Sequence, residues 1–565
     1  MTTAEPRTVV VVGGVAGGMS AAARLRRLDE RARIVVFERG PEVSYANCGL
    51  PYYVGGVIAE RESLLLQTPA SLRSRFGLDV RVRHDVVRID TAQKLVEVEE
   101  LDSGRRFTQS YDSLILATGA RPRRDEPVSD IPVRALRTVD DADAIDAALV
   151  RPGLPVVVVG GGYTGLEAVE NLVARGASVT LVQRGAQLLS PLDAEMAAPI
   201  AAEVRARGVD VRLGVEVVGA ESGYVTLSDG ASVPAELLID ASGVVPETAL
   251  AERAGIRIGE TGGIEVDARC RTSAPDVFAV GDGVEKLELV GGGTALVTMA
   301  GLANRHGRMV ADLIAGRTET ARPALGTGIV QVFGIAAGKT GWSERQLRAA
   351  GREFYVVHVH PGSHAGYYPG AETLSMKLLA DPQSDAILGV QIVGRDGVDK
   401  RLDVIATAMH AGMPAAELAQ LELAYAPQFG SAKDAVNILG YVAENTRTGT
   451  TPTIQWHELE AAQGAGAALI DVRTPAEFAA GAIPGAVNVP LDELRDRFDE
   501  LPDGEVVVHC QVGLRGHIAT RILRQRGVDA RNLDGGYRTW RDGAGSPRSE
   551  QTGGGPAHVQ LVGQR

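Results

Sequence analysis

Two stretches of this chain repeat one design. "VVVVGGVAGGMSAAARL" begins at Val9 and "VVVVGGGYTGLEAVENL" begins at Val156. Each is a run of β-branched residues suited to a buried strand, then a glycine-rich turn, then small and apolar residues at helical spacing. In the second, Gly160, Gly162 and Gly165 fit G-x-G-x-x-G. In the first, Gly13, Gly14 and Gly18 are present, with Val15 at the middle glycine position. Such a turn lets a pyrophosphate rest on the N-terminus of the following helix. The repeat therefore predicts two dinucleotide-binding domains in one chain.

The residues after each repeat separate the two sites. "ARIVVFERG" ends its strand at Glu38, twenty residues after Gly18, where a carboxylate accepts from ribose hydroxyls. "SVTLVQRG" ends instead with Gln183 and Arg184. Loss of the carboxylate removes repulsion against a 2′-phosphate, and Arg184 could pair with one. NADPH is favoured there, with NADH open. Two dinucleotides in one reductase imply a flavin and a nicotinamide. "LILATGARP" is an apolar strand ending in Thr118 and Gly119, suited to a domain crossover. "TSAPDVFAVGDGVE" sets Asp282 between two glycines after a strand, suited to the flavin's ribityl chain.

The net charge of −13 argues against a general binder of nucleic acid or acidic membranes. No apolar run approaches the ~20 residues of a membrane helix. The N-terminus lacks the features of a secretory signal. Cys48, Cys270 and Cys510 are odd in number and far apart, so neither a disulfide framework nor a metal cluster is expected. A cytoplasmic setting with reduced thiols follows.

Cys48 lies in "SYANCGLPYY". Gly49 and Pro51 suit the start of a helix, which would favour the thiolate. With "GGVAGG", "ATGARP", "TSAPDVFAVGDGVE", "SHAGYYPGAE" and "LAYAPQFGSAKD", this stretch makes residues 1–445 resemble the single-cysteine pyridine nucleotide–disulfide oxidoreductases. The likeness is greatest to the CoA-disulfide and CoA-persulfide (polysulfide) reductases. It implies FAD, NADPH or NADH, and coenzyme A as substrate or carrier. With no second cysteine nearby, Cys48 must rest as a mixed disulfide, a persulfide or a sulfenic acid. In the implied cycle, hydride passes from NAD(P)H to flavin, and the electrons cleave the S–S bond held on Cys48. The freed thiolate then attacks a new CoA disulfide, CoA persulfide or polysulfide.

Arg24 and Arg27 share a helix face. The resemblance implies that this face receives the phosphate end of CoA, with Ser20, Ser44, Asn47, Asn304 and Lys433 as further contacts. A lysine used by relatives in "TPASLRSR" is Ser71 here. Tyr367 and Tyr425 are implied to reach the active cysteine across a homodimer and to donate to a leaving thiolate. Tyr368 and Cys270 are expected to be structural.

"LIDVRTPAEFAAGAIPGAVNVPL", "VVVHCQVGLRG" and "NLDGGYRTW" resemble a rhodanese domain. An apolar strand ends at Cys510, and the loop through Arg515 leads into "GHIATRILRQRG". Loop N–H groups and Arg515 would favour an anionic sulfur at Cys510. Four residues separate Cys510 from Arg515, against five in cysteine phosphatases, so sulfur transfer is favoured over phosphate chemistry. Asp471 and Arg473 are expected to form a salt bridge, and His509 to belong to the scaffold.

The expected fold class is α/β: two Rossmann-like dinucleotide-binding domains, an α+β dimerisation domain and a C-terminal α/β rhodanese domain. The FAD domain takes 1–120 and 245–320, and the NAD(P)H domain 121–244. The dimerisation domain follows at 321–443, a linker at 444–453, the rhodanese at 454–542 and a mobile tail at 543–565. The expected function is FAD-dependent NAD(P)H reduction of CoA disulfide or CoA persulfide, with a fused sulfurtransferase. An NAD(P)H oxidase or peroxidase using a Cys48 sulfenic acid is the alternative. A redox sensor or sulfur carrier with negligible turnover is a third reading.

Overall fold

A computed structural model describes residues 6–123 and 129–545. The chain forms two compact units. Of the described residues, one unit holds those up to Arg184 together with Val215–Gly326; the other holds Gly185–Gly214 and 327–545.

The first unit contains both repeats. The strand Thr8–Val12 lies at the centre of a parallel sheet, in the order Val277–Ala279, Ser113–Leu116, Thr8–Val12, Arg33–Phe37, Asp79–Arg81. Its Val9, Val10 and Val11 are fully buried, as a strand covered on both faces requires. The helix Ala16–Leu28 packs against the helix Ala300–Ile314. They cross where both are glycine: a Cβ on Gly307 would stand 2.1 Å from the Gly17 carbonyl oxygen. In the second repeat, Ser178–Gln183, Pro155–Val159, Leu237–Asp240 and Val133–Ala135 lie side by side in parallel. The chain passes between the two domains through Ala120–Pro122 and returns through Val244–Pro246, which pair antiparallel.

The second unit has two sheets. One is antiparallel, in the order Gly328–Val332, Ile335–Gly341, Ile387–Gly394, Ser375–Ala380, Tyr355–Val359. The other is parallel, in the order Thr453–Ile454, Ala530–Leu533, Val506–His509, Ala468–Asp471, Ala486–Asn488. The helix Ala435–Arg447 runs into the expected linker, because its buried face at Val436, Leu439, Gly440 and Ala443 continues the helical pattern to that point. The last helix, Gly536–Ala544, likewise passes the expected boundary at 542. The tail beyond Gly545 lies outside the described residues. Among the described residues no helix is long and apolar enough to cross a membrane.

Candidate active site

The two glycine turns are closed by the same packing. A Cβ on Gly18 would lie 2.0 Å from the Gly13 carbonyl oxygen, and one on Gly165 would lie 1.8 Å from that of Gly160. Gly13 and Gly160 take φ of +102° and +106°, which side chains disfavour. Each turn leads into a long helix, Ala16–Leu28 or Tyr163–Ala174, whose N-terminus suits a pyrophosphate. Glu38 accepts from the Gly14 and Gly40 N–H groups, both at 2.7 Å. Gln183 does the same work in the second turn, accepting from Gly161 N–H at 2.9 Å. A Cβ on Gly162 would meet open space, so a ligand can approach the backbone there. These residues fit two dinucleotides. Arg184 already pairs with Glu216 at 3.3 Å, with both side chains half exposed.

The Cys48 loop is tied to the first turn. Ser44, at φ +49°, donates its N–H to the Gly14 carbonyl at 2.8 Å. Thr118 donates to the Glu247 carbonyl at 2.8 Å, fixing the crossover. A Cβ on Gly283 would lie 2.6 Å from the Gly119 carbonyl oxygen, so the Asp282 turn also lies against that crossover. Asp282 is held by Arg137 at 3.0 Å. Cys48 is exposed, in a short 3₁₀ turn Asn47–Gly49 that precedes the helix Leu50–Val54. Its backbone N–H donates to Asn47 Oδ1 at 3.1 Å.

One expectation fails here. Partial burial of the thiol, then the carboxylates of Glu167 and Asp282, push Cys48 up rather than down. Only Arg137 opposes them. The helix that follows has only five residues, and its N-terminus does not offset burial and two carboxylates. Glu167 comes from the second nucleotide domain and accepts from Tyr52 at 3.2 Å. Glu167 sits two residues after Gly165 in the second repeat and Arg137 belongs to no motif; only the folded chain brings them to Cys48.

The expected CoA face is partly assembled. Ser20 donates to Asn304 Oδ1 at 2.6 Å across the two crossing helices. Arg24 donates to Asp312 at 2.7 and 3.2 Å, with little exposure. The inward stem of a helix crossing favours this pair, which leaves Arg27 as the exposed cation on that helix face. Arg305 and Arg308, which carry no motif, are also exposed, on the facing helix. Ser71 closes a capping box with Thr68 at the start of the helix Pro69–Phe76.

In the second unit, Tyr367 and Tyr425 meet hydroxyl to hydroxyl at 2.7 Å, both exposed. The contact with Tyr425 pushes the Tyr367 hydroxyl up. Buried Arg401 holds the two loops together, donating to the Ser363 carbonyl at 2.6 Å and to Asp434 at 2.9 Å. Lys433, beside Asp434, is exposed. Tyr368 stacks edge-on against His364. Cys270, in the first unit, is buried, and burial pushes its thiol up to about 12.

Cys510 is buried at the end of the strand Val506–His509. Gly513, at φ +102°, donates its N–H to the sulfur at 3.1 Å. The helix starts at Leu514, two residues earlier than expected, because Gly513 makes the turn. Arg515 thus stands on the first turn of the helix and forms a two-point ion pair with Glu477 at 2.7 and 2.8 Å. Asp471 and Arg473 form the expected buried pair at 2.7 Å. His509 is fully buried, and burial pushes it down to about 4, so it is neutral. The N–H groups of Tyr537 and Arg538 donate to the carbonyls of Cys510 and Gln511 at 2.8 and 3.1 Å. These two bonds hold the loop in which the Gly513 N–H reaches the sulfur.

Residues 7–318 match the family "Pyridine nucleotide-disulphide oxidoreductase". The chain belongs to this family. Residues 328–436 match the family's dimerisation domain, and residues 455–542 match the rhodanese-like domain. The oxidoreductase is 33% identical over 441 residues to coenzyme A disulfide reductase of Staphylococcus haemolyticus, covering 78% of this chain and 100% of the relative. Among solved structures, reduced CoADR-RHD of Bacillus anthracis aligns with a TM-score of 0.92 at 43% identity, over 95% of this chain and 98% of that one. An NAD-dependent persulfide reductase from A. fulgidus aligns at 0.89 and 35% identity, over 94% of this chain and 100% of that one. The oxidoreductase is therefore FAD- and NAD(P)H-dependent, with a rhodanese module, and its fold class is the one the sequence predicts.

Proposed function

We propose that the enzyme reduces CoA disulfide or CoA persulfide, and related polysulfides, on Cys48, and that Cys510 transfers sulfane sulfur. One observation carries this reading. Of three thiols, only Cys48 is exposed, and its loop is locked by Ser44 to the first nucleotide turn. Cys270 and Cys510 are buried, so no internal disulfide forms at Cys48, and its oxidised form is a mixed disulfide, a persulfide or a sulfenic acid. Bound FAD supplies the electrons for breaking that S–S bond, taken as hydride from NAD(P)H. The chain's residues do the rest. Glu38 and the glycine turns hold the first dinucleotide; Gln183 and the second turn hold the other. Asp282 and Arg137 form a charged pair beside the thiol. Ser20, Arg27, Ser44, Asn47, Asn304 and Lys433 make the CoA site, with Arg24 positioning its helix. Tyr367 and Tyr425 share one proton-bearing contact and donate to the leaving thiolate from the second copy of a homodimer. The proposed division of the chain is an FAD domain at 1–120 and 245–320, an NAD(P)H domain at 121–244, a dimerisation domain at 321–443, a linker at 444–453 and a rhodanese domain at 454–542. Reduced thiols suit a cytoplasmic enzyme.

The likeness to a disulfide reductase and to a persulfide reductase supports both sulfur substrates. The test is anaerobic: reduce the enzyme with NADPH or NADH, then follow flavin reoxidation after mixing with CoA persulfide or CoA disulfide. Faster reoxidation by the persulfide makes it a sulfane-sulfur reductase fed by Cys510. Faster reoxidation by the disulfide makes it a CoA redox enzyme with an accessory sulfurtransferase. Reoxidation by oxygen alone overturns both.

A further inference from the structure

We infer that Glu477 is a specificity-determining residue of the Cys510 site: by neutralising Arg515, it turns the site away from dianionic donors such as thiosulfate and toward thiol persulfides. This rests on the sulfurtransferase reading of Cys510.

Arg515 is the cation on the first helical turn beyond the cysteine, and its charge reaches the Cys510 sulfur. Both of its terminal nitrogens are engaged by the two carboxylate oxygens of Glu477, at 2.7 and 2.8 Å. That parallel geometry is the strongest form of the pair. Glu477 is itself fixed. Its Oε2 accepts from the N–H and the hydroxyl of Thr474, both at 3.0 Å. Thr474 Oγ1 accepts from Glu477 N–H at 3.3 Å, closing a capping box on the helix Pro475–Ala479. The hydrogen bonds from Arg515 hold the Glu477 carboxyl down at about 2, so it is ionised wherever the enzyme works. Two other basic side chains near the loop are not free cations: Arg473 is paired with buried Asp471, and His509 is neutral. What faces the sulfur besides the paired Arg515 is the N–H of Gly513.

The step is a sulfur transfer without net redox change. The Cys510 thiolate attacks the outer sulfur of R–S–SH. A Cys510–S bond forms, the R–S bond to that sulfur breaks, and R–S⁻ leaves with its electron pair. With thiosulfate the same attack expels sulfite, which carries two negative charges. A site with one uncompensated guanidinium would stabilise that dianion on arrival and departure. A site whose guanidinium is already paired favours the donor and leaving group of lower charge.

The experiment compares full-length wild type and Glu477→Gln with two donors, thiosulfate and glutathione persulfide, and cyanide as acceptor. Glutamine keeps an oxygen for Thr474 and Arg515 but not the charge. Thiosulfate kcat/KM should rise about tenfold in the variant, mainly through KM. The persulfide value should change by less than about twofold. The thiosulfate reaction should also fall more steeply with added salt in the variant than in wild type. Equal change with both donors, or no change in their ratio, overturns the inference and leaves Glu477 a structural cap. If wild type moves sulfur from neither donor, the sulfurtransferase reading falls, and this inference with it.

Discussion

Cys48 and Cys510 both stand just before a helix, yet the chain surrounds them differently. Cys48 is exposed, precedes a helix of five residues and faces Glu167 and Asp282. Cys510 is buried, precedes the helix Leu514–Gln525 and receives an N–H directly on its sulfur. Position before a helix does not by itself prepare a thiol. What matters is which dipoles and charges point at the sulfur, and over what distance. Cys510 carries its stabilising groups in its own loop. Cys48 has one nearby guanidinium, Arg137, already paired with Asp282. The first is a self-contained sulfur site; the second is a thiol whose activation depends on what binds beside it.

The largest effect should come from separating them. Cys48→Ser should abolish NAD(P)H-dependent reduction of CoA persulfide, by at least ~10³-fold, while sulfur transfer from a persulfide to cyanide persists. Cys510→Ser should do the reverse. Steady-state assays of both activities on both variants check this, and loss of both activities in either one breaks the comparison.

The Cys510 region also leans on the antiparallel sheet. His358 on the strand Tyr355–Val359 meets Asp534 at 2.7 Å and Glu195 at 3.1 Å, all three buried. Lys377, with Asp193, Glu195 and Glu344 around it, faces the same cluster. His360 pairs with Thr539 at 2.8 Å. The segment 534–539 thus joins this cluster to the N–H groups that hold the Cys510 loop. Burial works against the His358 charge, but Asp534 and Glu195 raise it to about 9. The ordinary value is about 6.5, so the stabilisation is complete below that and is lost as pH rises through about 9. The loss should be about 3 kcal/mol. Wild-type melting temperature should fall between pH 7 and 10, and sulfur transfer should fall with it. His358→Gln should start lower at pH 7 and lose less over that range. A parallel pH loss in Cys48 thiol reactivity would break the comparison, since Cys48 has no part in this cluster.

Much of this was legible in the chain. Both nucleotide turns, Glu38 against Gln183, and both reactive cysteines are local patterns, in which a few neighbouring residues set the backbone. Element ends were missed by a few residues, as at Leu514 and Arg447, and the larger departures are long-range. The Arg24–Asp312 pair does not show in the sequence, because its partners lie 288 positions apart. Cys48 read as a lowered thiol because Glu167 and Asp282 arrive from other segments. Arg401, which brings the tyrosine loops together, lies on a helix with no motif at all. Charge pairing between distant elements has no period and no spacing, so only the folded chain displays it.

Gly513 tests whether the N–H on the sulfur matters. Its φ of +102° is costly for alanine, although a Cβ there would meet nothing closer than Gly535 N at 3.7 Å. Gly513→Ala should therefore act by re-aiming the N–H rather than by a clash. Sulfur transfer should fall about tenfold. Cys48-dependent reduction should be unchanged. Measured alkylation of Cys510 against pH, with Cys48→Ser as background, separates re-aiming from collapse of the loop.

The smallest effect sharpens the other side. Glu167→Gln removes the carboxylate whose charge acts more strongly on Cys48 than that of Asp282. A negative charge disfavours the thiolate, so its removal must lower the thiol's titration point and raise the thiolate fraction at pH 7. Glutamine still accepts from Tyr52, so the packing of the helix Leu50–Val54 against the second nucleotide domain is kept. Alkylation of Cys48 at pH 7 should speed up by about three- to fivefold, with the midpoint of its pH profile displaced downward. The same substitution should leave Cys510 alkylation where it was. If Cys48 does not respond, the carboxylates are too well screened to govern it, and the contrast between the two thiols reduces to exposure and a single N–H.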